Sequence, residues 1–155
     1  MAVKAFNIHQ TRTYSLKADE GPSKTVFHLG VLDSALSTYL WDSLMAWKRP
    51  NNGQDPEGPG SMVVMNKFQR DREVVKFGLK GWDNFQDEKG ADIPFDPKLH
   101  TKSYPVQGVG NRTGLSHIAL DLLKPFLTEL AEQIESDNIL TEQDEKNSDG
   151  PSAGS

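Results

Sequence analysis

The chain has 155 residues, a mass of 17.2 kDa, a net charge of −5 and no cysteine. The missing cysteines exclude disulfide staples, a thiol nucleophile and thiolate zinc sites. No apolar run approaches a membrane span, and the start Met1-Ala-Val-Lys-Ala-Phe6 lacks the apolar core of a secretory signal. The expected setting is therefore a cytoplasm, and the expected size is one small domain.

The charge is unevenly spread. From Glu129 onward eight carboxylates face one base, Lys146, so that stretch carries −7 and residues 1–128 carry +2. An acidic end repels phosphates, which speaks against nucleic-acid binding there.

In chain order, Thr11–Lys17 alternates, with Tyr14 and Leu16 on one face, and Lys24–Leu29 is rich in β-branched and aromatic residues. Gly21-Pro22 lies between them, so an antiparallel hairpin is predicted. Asp33 suits the cap of a helix running to about Trp47. Leu36, Leu40, Leu44 and Trp47 form its apolar stripe, Trp41 lies off its centre, and Pro50 stops it. Six of the twelve residues 50–61 are Pro or Gly, which predicts a long loop.

Met62–Met65 fits a strand or a helix. A helix is expected over 66–79, with Phe68, Val75, Leu79 and Trp82 on one face and Arg72, Lys76 and Lys80 in a row on another. Gly78 weakens it and Gly81 can end it. Asn84–Gln86, the turn Asp87–Gly90 and Ala91–Phe95 predict a second hairpin, with Pro94 confining its strand to an edge. Residues 96–114 read as irregular. Ile118, Leu122, Leu123, Phe126, Leu127, Leu130 and Ile134 have the strongest apolar periodicity, broken by Pro125. That predicts a short helix near 116–123 and a second starting near Pro125. Thr141 then caps a short acidic turn, followed by a disordered tail.

No residue pattern announces catalysis. His9, His28, His100 and His117 have no metal-ligand spacing, and no G-x-S-x-G elbow is present. Gly108-Val-Gly-Asn-Arg-Thr-Gly114 looks like a phosphate cradle but lacks the G-K-[ST] ending of a P-loop and misses the dinucleotide fingerprint by one residue. Asp83, Asp87 and Asp92 read as turn residues, without EF-hand spacing. The row Arg72, Lys76 and Lys80 is read as a solvated helix face, a protein contact or, against the acidic overall charge, a nucleic-acid contact. Trp41, Trp47 and Trp82 are core anchors or, where exposed, interface residues.

Several stretches together resemble a known group: Thr13-Tyr-Ser-Leu-Lys-Ala-Asp-Glu-Gly-Pro22, Leu32-Asp-Ser-Ala-Leu36, Val75-Lys-Phe-Gly-Leu-Lys-Gly-Trp-Asp-Asn-Phe85 with Asp87 and Gly90 behind it, and Leu140-Thr-Glu-Gln-Asp-Glu-Lys-Asn-Ser148. A hydrophobic helix, then Gly-Leu-x-Gly-Trp-x-Asn-Phe, an Asp-x-x-Gly turn and an acidic end is similar to the tail assembly chaperone-like morphogenesis proteins of tailed bacteriophages and prophages. The resemblance implies a non-enzymatic helper in the host bacterial cytoplasm, without cofactor. Its partners would be the tape measure protein and tail tube subunits. The carry-over is confined to Gly78–Phe85 and its turn, where Trp82 and Phe85 fill the core. The 50–61 insert and the 96–114 stretch depart from that pattern. A structural virion component, such as a head–tail connector or a tail protein, and a DNA-contacting accessory protein therefore stay as alternatives.

The expected fold is α+β, with a small antiparallel sheet or hairpins packed against three to four helices. Residues 1–140 would form one domain with a flexible loop at 50–61, and residues 141–155 the acidic turn and tail. The candidate contact residues are Trp41, Trp82, Phe85, Arg72, Lys76 and Lys80. A homo-oligomer is compatible with the sequence, and a membrane partner is not expected.

Overall fold

The computed structural model describes residues 2–3, 5, 7–48, 62–65 and 67–148, with the backbone alone for 42–48, 62–65 and 139–148. The loop at 50–61 and the tail after Ser148 lie outside the described residues.

The architecture is α+β. Its first sheet has the predicted hairpin at one side. Strand β1 (Arg12–Tyr14) pairs antiparallel with β2 (Val26–Leu29), Tyr14 standing opposite Phe27. The other side of β2 pairs antiparallel with β5 (Leu79–Asp83), Phe27 opposite Trp82. The alternation of β2 sends Phe27 and Leu29 into the core, as a half-buried strand requires. The register between β2 and β5 skips Lys80, so a bulge turns that side chain out of the ladder.

Helix α1 spans Ser34–Leu44. Asp33 caps it as predicted, its Oδ1 accepting the Leu36 backbone N–H at 2.9 Å. The helix ends before Trp47, however. The chain turns instead into strand β3 (Met45–Lys48), paired antiparallel with β4 (Met62–Met65). Pairing with a distant segment outweighs the local helical period there.

Helix α2 (Lys67–Gly78) is the central element. Helix α5 (Leu127–Ser148) packs along it, while α1 and β5 adjoin it. The fully buried Val74, Val75, Leu130 and Ile134 lie at the centre of this core. Burying a side chain of that size contributes about 1.5–3 kcal/mol. At the edge of the α2–α5 contact Asp71, almost wholly buried, accepts from Lys67 Nζ at 3.0 Å and from Thr128 Oγ1 at 3.1 Å, so its charge is matched. That bond raises the Lys67 pKa.

Three corrections concern the middle of the chain. Leu79 and Trp82 are not on the α2 helix. They belong to β5, and Phe68 on α2 points outward, 56% exposed. Gly81 does not end the helix but lies within β5, where Phe95 covers it. Residues 96–114 are not irregular. Helix α3 (Pro97–His100), capped by Asp96, leads into strand β6 (Thr101–Val106), which forms an antiparallel hairpin with β7 (Gly110–Leu115).

The Gly-rich stretch is the turn and second strand of this hairpin. Gly108 (φ 79°) and Gly110 (φ 103°) take left-handed conformations there. Gly114 lets β7 approach α2 closely: a Cβ at that position would stand 2.9 Å from the Lys76 carbonyl oxygen.

Helix α4 (His117–Leu122) follows, and Lys124–Phe126 forms a single 3₁₀ turn around Pro125 before α5 begins. The break at Pro125 matches the prediction. The capped turn at Thr141 does not, because α5 continues through it to Ser148.

Candidate functional site

The six candidate contact residues separate into buried and exposed groups. Trp82 is 3% exposed; its indole N–H donates to the Ile93 carbonyl at 2.7 Å, and its ring meets Phe85 and Phe95 edge-on. Phe85 is buried beside Phe27 and Phe126. Both are core residues, which leaves them nothing to offer a partner. They hold the 85–93 segment on the sheet, where Ile93 N–H donates to the Phe85 carbonyl at 2.7 Å and Gln86 bridges Asp92.

Arg72, Lys76 and Lys80 do not form one row. Arg72 donates to His117 Nδ1 at 2.8 Å, which leaves that imidazole nitrogen without a proton of its own. Lys76 pairs with Glu73 at 3.2 Å and lies 4.0 Å from the centre of the Tyr104 ring, a cation–π contact. Lys80 leaves from the β5 bulge, crosses Gly30 and donates to the Phe77 carbonyl at 3.0 Å. Burial holds its pKa below the ordinary lysine value. The three charges are thus spent on three different neighbours, and no continuous basic stripe results.

Trp41 is the exposed aromatic of the six. It stands on α1 with 54% of its surface open, and the Arg70 guanidinium carbon lies 6.0 Å from its ring centre. Arg70 is held by Glu135 of α5 through a 2.9 Å ion pair. The three helices α1, α2 and α5 therefore converge on an aromatic–guanidinium pair at the surface. Sequence reasoning located Trp41 off the apolar stripe but not its arginine neighbour, which depends on how α1 crosses α2.

Two clefts flank β5. The first, of about 400 Å³, is lined by His28, Lys80, Asp83, Asp92 and the rings of Trp82 and Phe95. His28 Nε2 donates to Asp83 Oδ2 at 2.7 Å. Among the described residues no serine or threonine lines this cleft. The second cleft, of about 430 Å³, lies between the β1–β2 loop and residues 84–87, with Phe126 at its base. Neither was legible in the sequence, because each draws on segments far apart in the chain.

His100 is buried in the aromatic cluster, stacked on Phe95. Its Nδ1 accepts the Asp96 backbone N–H at 2.9 Å, so it serves the start of α3. His28 and His117 have the partners given above, and His9 is exposed near the N-terminus. Among the described residues no three His, Asp or Glu side chains gather to hold a metal ion. No helix among them is long and apolar enough to cross a membrane. No family model, no curated protein and no solved structure matches this chain.

Proposed function

We propose that the chain is a non-enzymatic assembly protein that works by protein–protein contact. The setting is the one implied by the resemblance, tail morphogenesis of a bacteriophage or prophage in the host bacterial cytoplasm. The tape measure protein and the tail tube subunit are the proposed partners. The observation that carries the reading is Trp41: a tryptophan half open to solvent beside an arginine already fixed by a carboxylate. Tryptophan and arginine are the residue types that most often dominate binding energy at protein interfaces. An arginine pinned beforehand loses little side-chain entropy when a partner lands on it. Phe68 adds a second exposed aromatic on α2.

The DNA-contacting alternative has weaker support. The bases it would use are engaged by His117, Glu73 and the Phe77 carbonyl. A structural virion component would use the same kind of contact, so the choice between helper and component is one of fate rather than of surface chemistry.

The test is co-purification of the tagged full chain from phage-producing cells, with tail proteins identified by mass spectrometry. The reading predicts that tape measure or tube protein is captured by the wild type and that Trp41→Ala lowers capture about tenfold or more, the scale of an interface hot spot. Capture of no tail protein by the wild type overturns it, as does capture indifferent to Trp41→Ala.

A further inference from the structure

The geometry points to the second cleft as a docking site for an arginine or lysine side chain of a partner protein. Its floor is apolar, formed by Leu16, Phe27, Phe85 and Phe126. Among the described residues its lining carries two carboxylates, Asp19 and Asp87, and no cation. An aromatic floor under an acidic rim suits a group with an apolar stem and a cationic head. A phosphate or a nucleic-acid backbone would be repelled by the same rim.

Among the described residues, each carboxylate gives one of its oxygens to backbone N–H groups. Asp19 Oδ2 accepts from Thr25 at 2.8 Å, while Asp87 Oδ1 accepts from Lys89 at 2.9 Å and from Ala91 at 2.8 Å. Those bonds fix the carboxylates in place, and an incoming cation does not have to order them.

The walls are fixed as well. Asn84 adopts a left-handed conformation, φ 59°, which costs a non-glycine residue some backbone strain. Its side-chain amide reaches the Ser23 carbonyl at 2.8 Å and the Lys24 carbonyl at 3.3 Å, and its own carbonyl accepts from Thr25 Oγ1 at 2.8 Å. One residue thus ties the β1–β2 loop to the 84–87 segment, the two segments that line the cleft. This site is separate from the Trp41 face. Only the source of its ligand rests on the protein-contact reading.

The probe is the acetylated, amidated tripeptide Leu-Arg-Leu, with its lysine analogue and its neutral, nearly isosteric citrulline analogue. Each is titrated into the isotope-labelled full chain and followed by amide chemical shifts. The arginine and lysine peptides should move the signals of Thr25, Asn84 and Gln86. The citrulline peptide should bind about tenfold more weakly or worse, the scale of one lost charge-assisted contact. The double variant Asp19→Asn, Asp87→Asn keeps an oxygen to accept each backbone N–H and should lose affinity for the charged peptides to the same degree. Equal binding of the citrulline peptide to the wild type overturns the assignment. So does unchanged binding by the double variant, or no shift at these residues at millimolar peptide. Trp41→Ala should leave all these titrations unaltered, so failure here and failure of the Trp41 reading are told apart.

Discussion

Tyr14 and Glu129 tie the first strand to the last helix. The Tyr14 hydroxyl donates to Glu129 Oε2 at 2.5 Å, and the Lys17 backbone N–H donates to the same oxygen at 2.9 Å. Burial and the adjacent carboxylate push the Tyr14 pKa up to about 12, and the tyrosine bond holds the Glu129 carboxyl below its ordinary value. The tyrosine contribution is complete below its unfolded pKa, near 10.0, and is lost as the pH rises to about 12. The glutamate contribution is present above the ordinary carboxylate range and is lost as the pH falls through the depressed value. Urea midpoints of wild type and Tyr14→Phe should therefore differ most near neutral pH, and the gap should close towards both acid and strong base. A gap independent of pH would contradict this pairing.

Gly114 makes a second prediction at this scale. A methyl group there meets a backbone oxygen that cannot step aside, so Gly114→Ala should destabilise the fold by about 1–3 kcal/mol, as overpacking does. Chemical denaturation measures it. A neutral or stabilising result would mean that β7 does not lie so close to α2.

At the scale of elements, the Asp33 cap is the simplest unit to remove. Asp33→Ala deletes the acceptor for the Leu36 N–H and the 3.5 Å contact with Arg112, and should cost about 1 kcal/mol. Thermal or urea unfolding checks it, and Asp33→Asn should recover most of the loss.

Asp33 was readable because a cap is a local pattern. The β1–β2 hairpin and the break at Pro125 were readable for the same reason: the signals stand within a few residues of the feature. Strand β5 was hidden because Leu79 and Trp82 continue the α2 period, and only pairing with β2 shows that the chain has become extended. The β6–β7 hairpin was hidden by Pro105 and its glycines. Pro105 is admissible in a sheet of two strands, where each has a free edge, and Gly114 is required by a neighbour from another segment. Helix α1 ended early for a similar reason, since β3 finds its partner at 62–65.

The candidate sites follow the same rule. Trp41 was visible as an aromatic off the stripe. The burial of Trp82 beneath Phe95, and the placing of Asp19 and Asp87 in the lining of one cleft, depend on contacts that no single stretch contains.

Across the whole molecule, the buried core lies apart from the proposed contact residue Trp41. The core runs through β2, α2, β5 and α5, so Leu130→Ala, which empties a fully buried position between α2 and α5, should cost about 2–5 kcal/mol. If the elements share one core, the loss should appear equally in helical circular dichroism and in tryptophan fluorescence. Transitions that part company would show two independent units. The exposed Trp41 contributes little to that core, and its loss should leave the unfolding midpoint within about 0.5 kcal/mol of wild type.

The central claim is that this chain assists the assembly of phage tails through protein contact. Mass spectrometry of purified particles beside the producing-cell lysate tests it most directly, combined with identification of the tail proteins that travel with the tagged chain. The account predicts a protein abundant in the lysate, bound there to tape measure or tube protein through a Trp41-dependent contact, and missing from finished particles. A fixed copy number in every particle would contradict the helper role and make the chain a structural component. A lysate in which no tail protein accompanies it would contradict the tail-assembly reading itself.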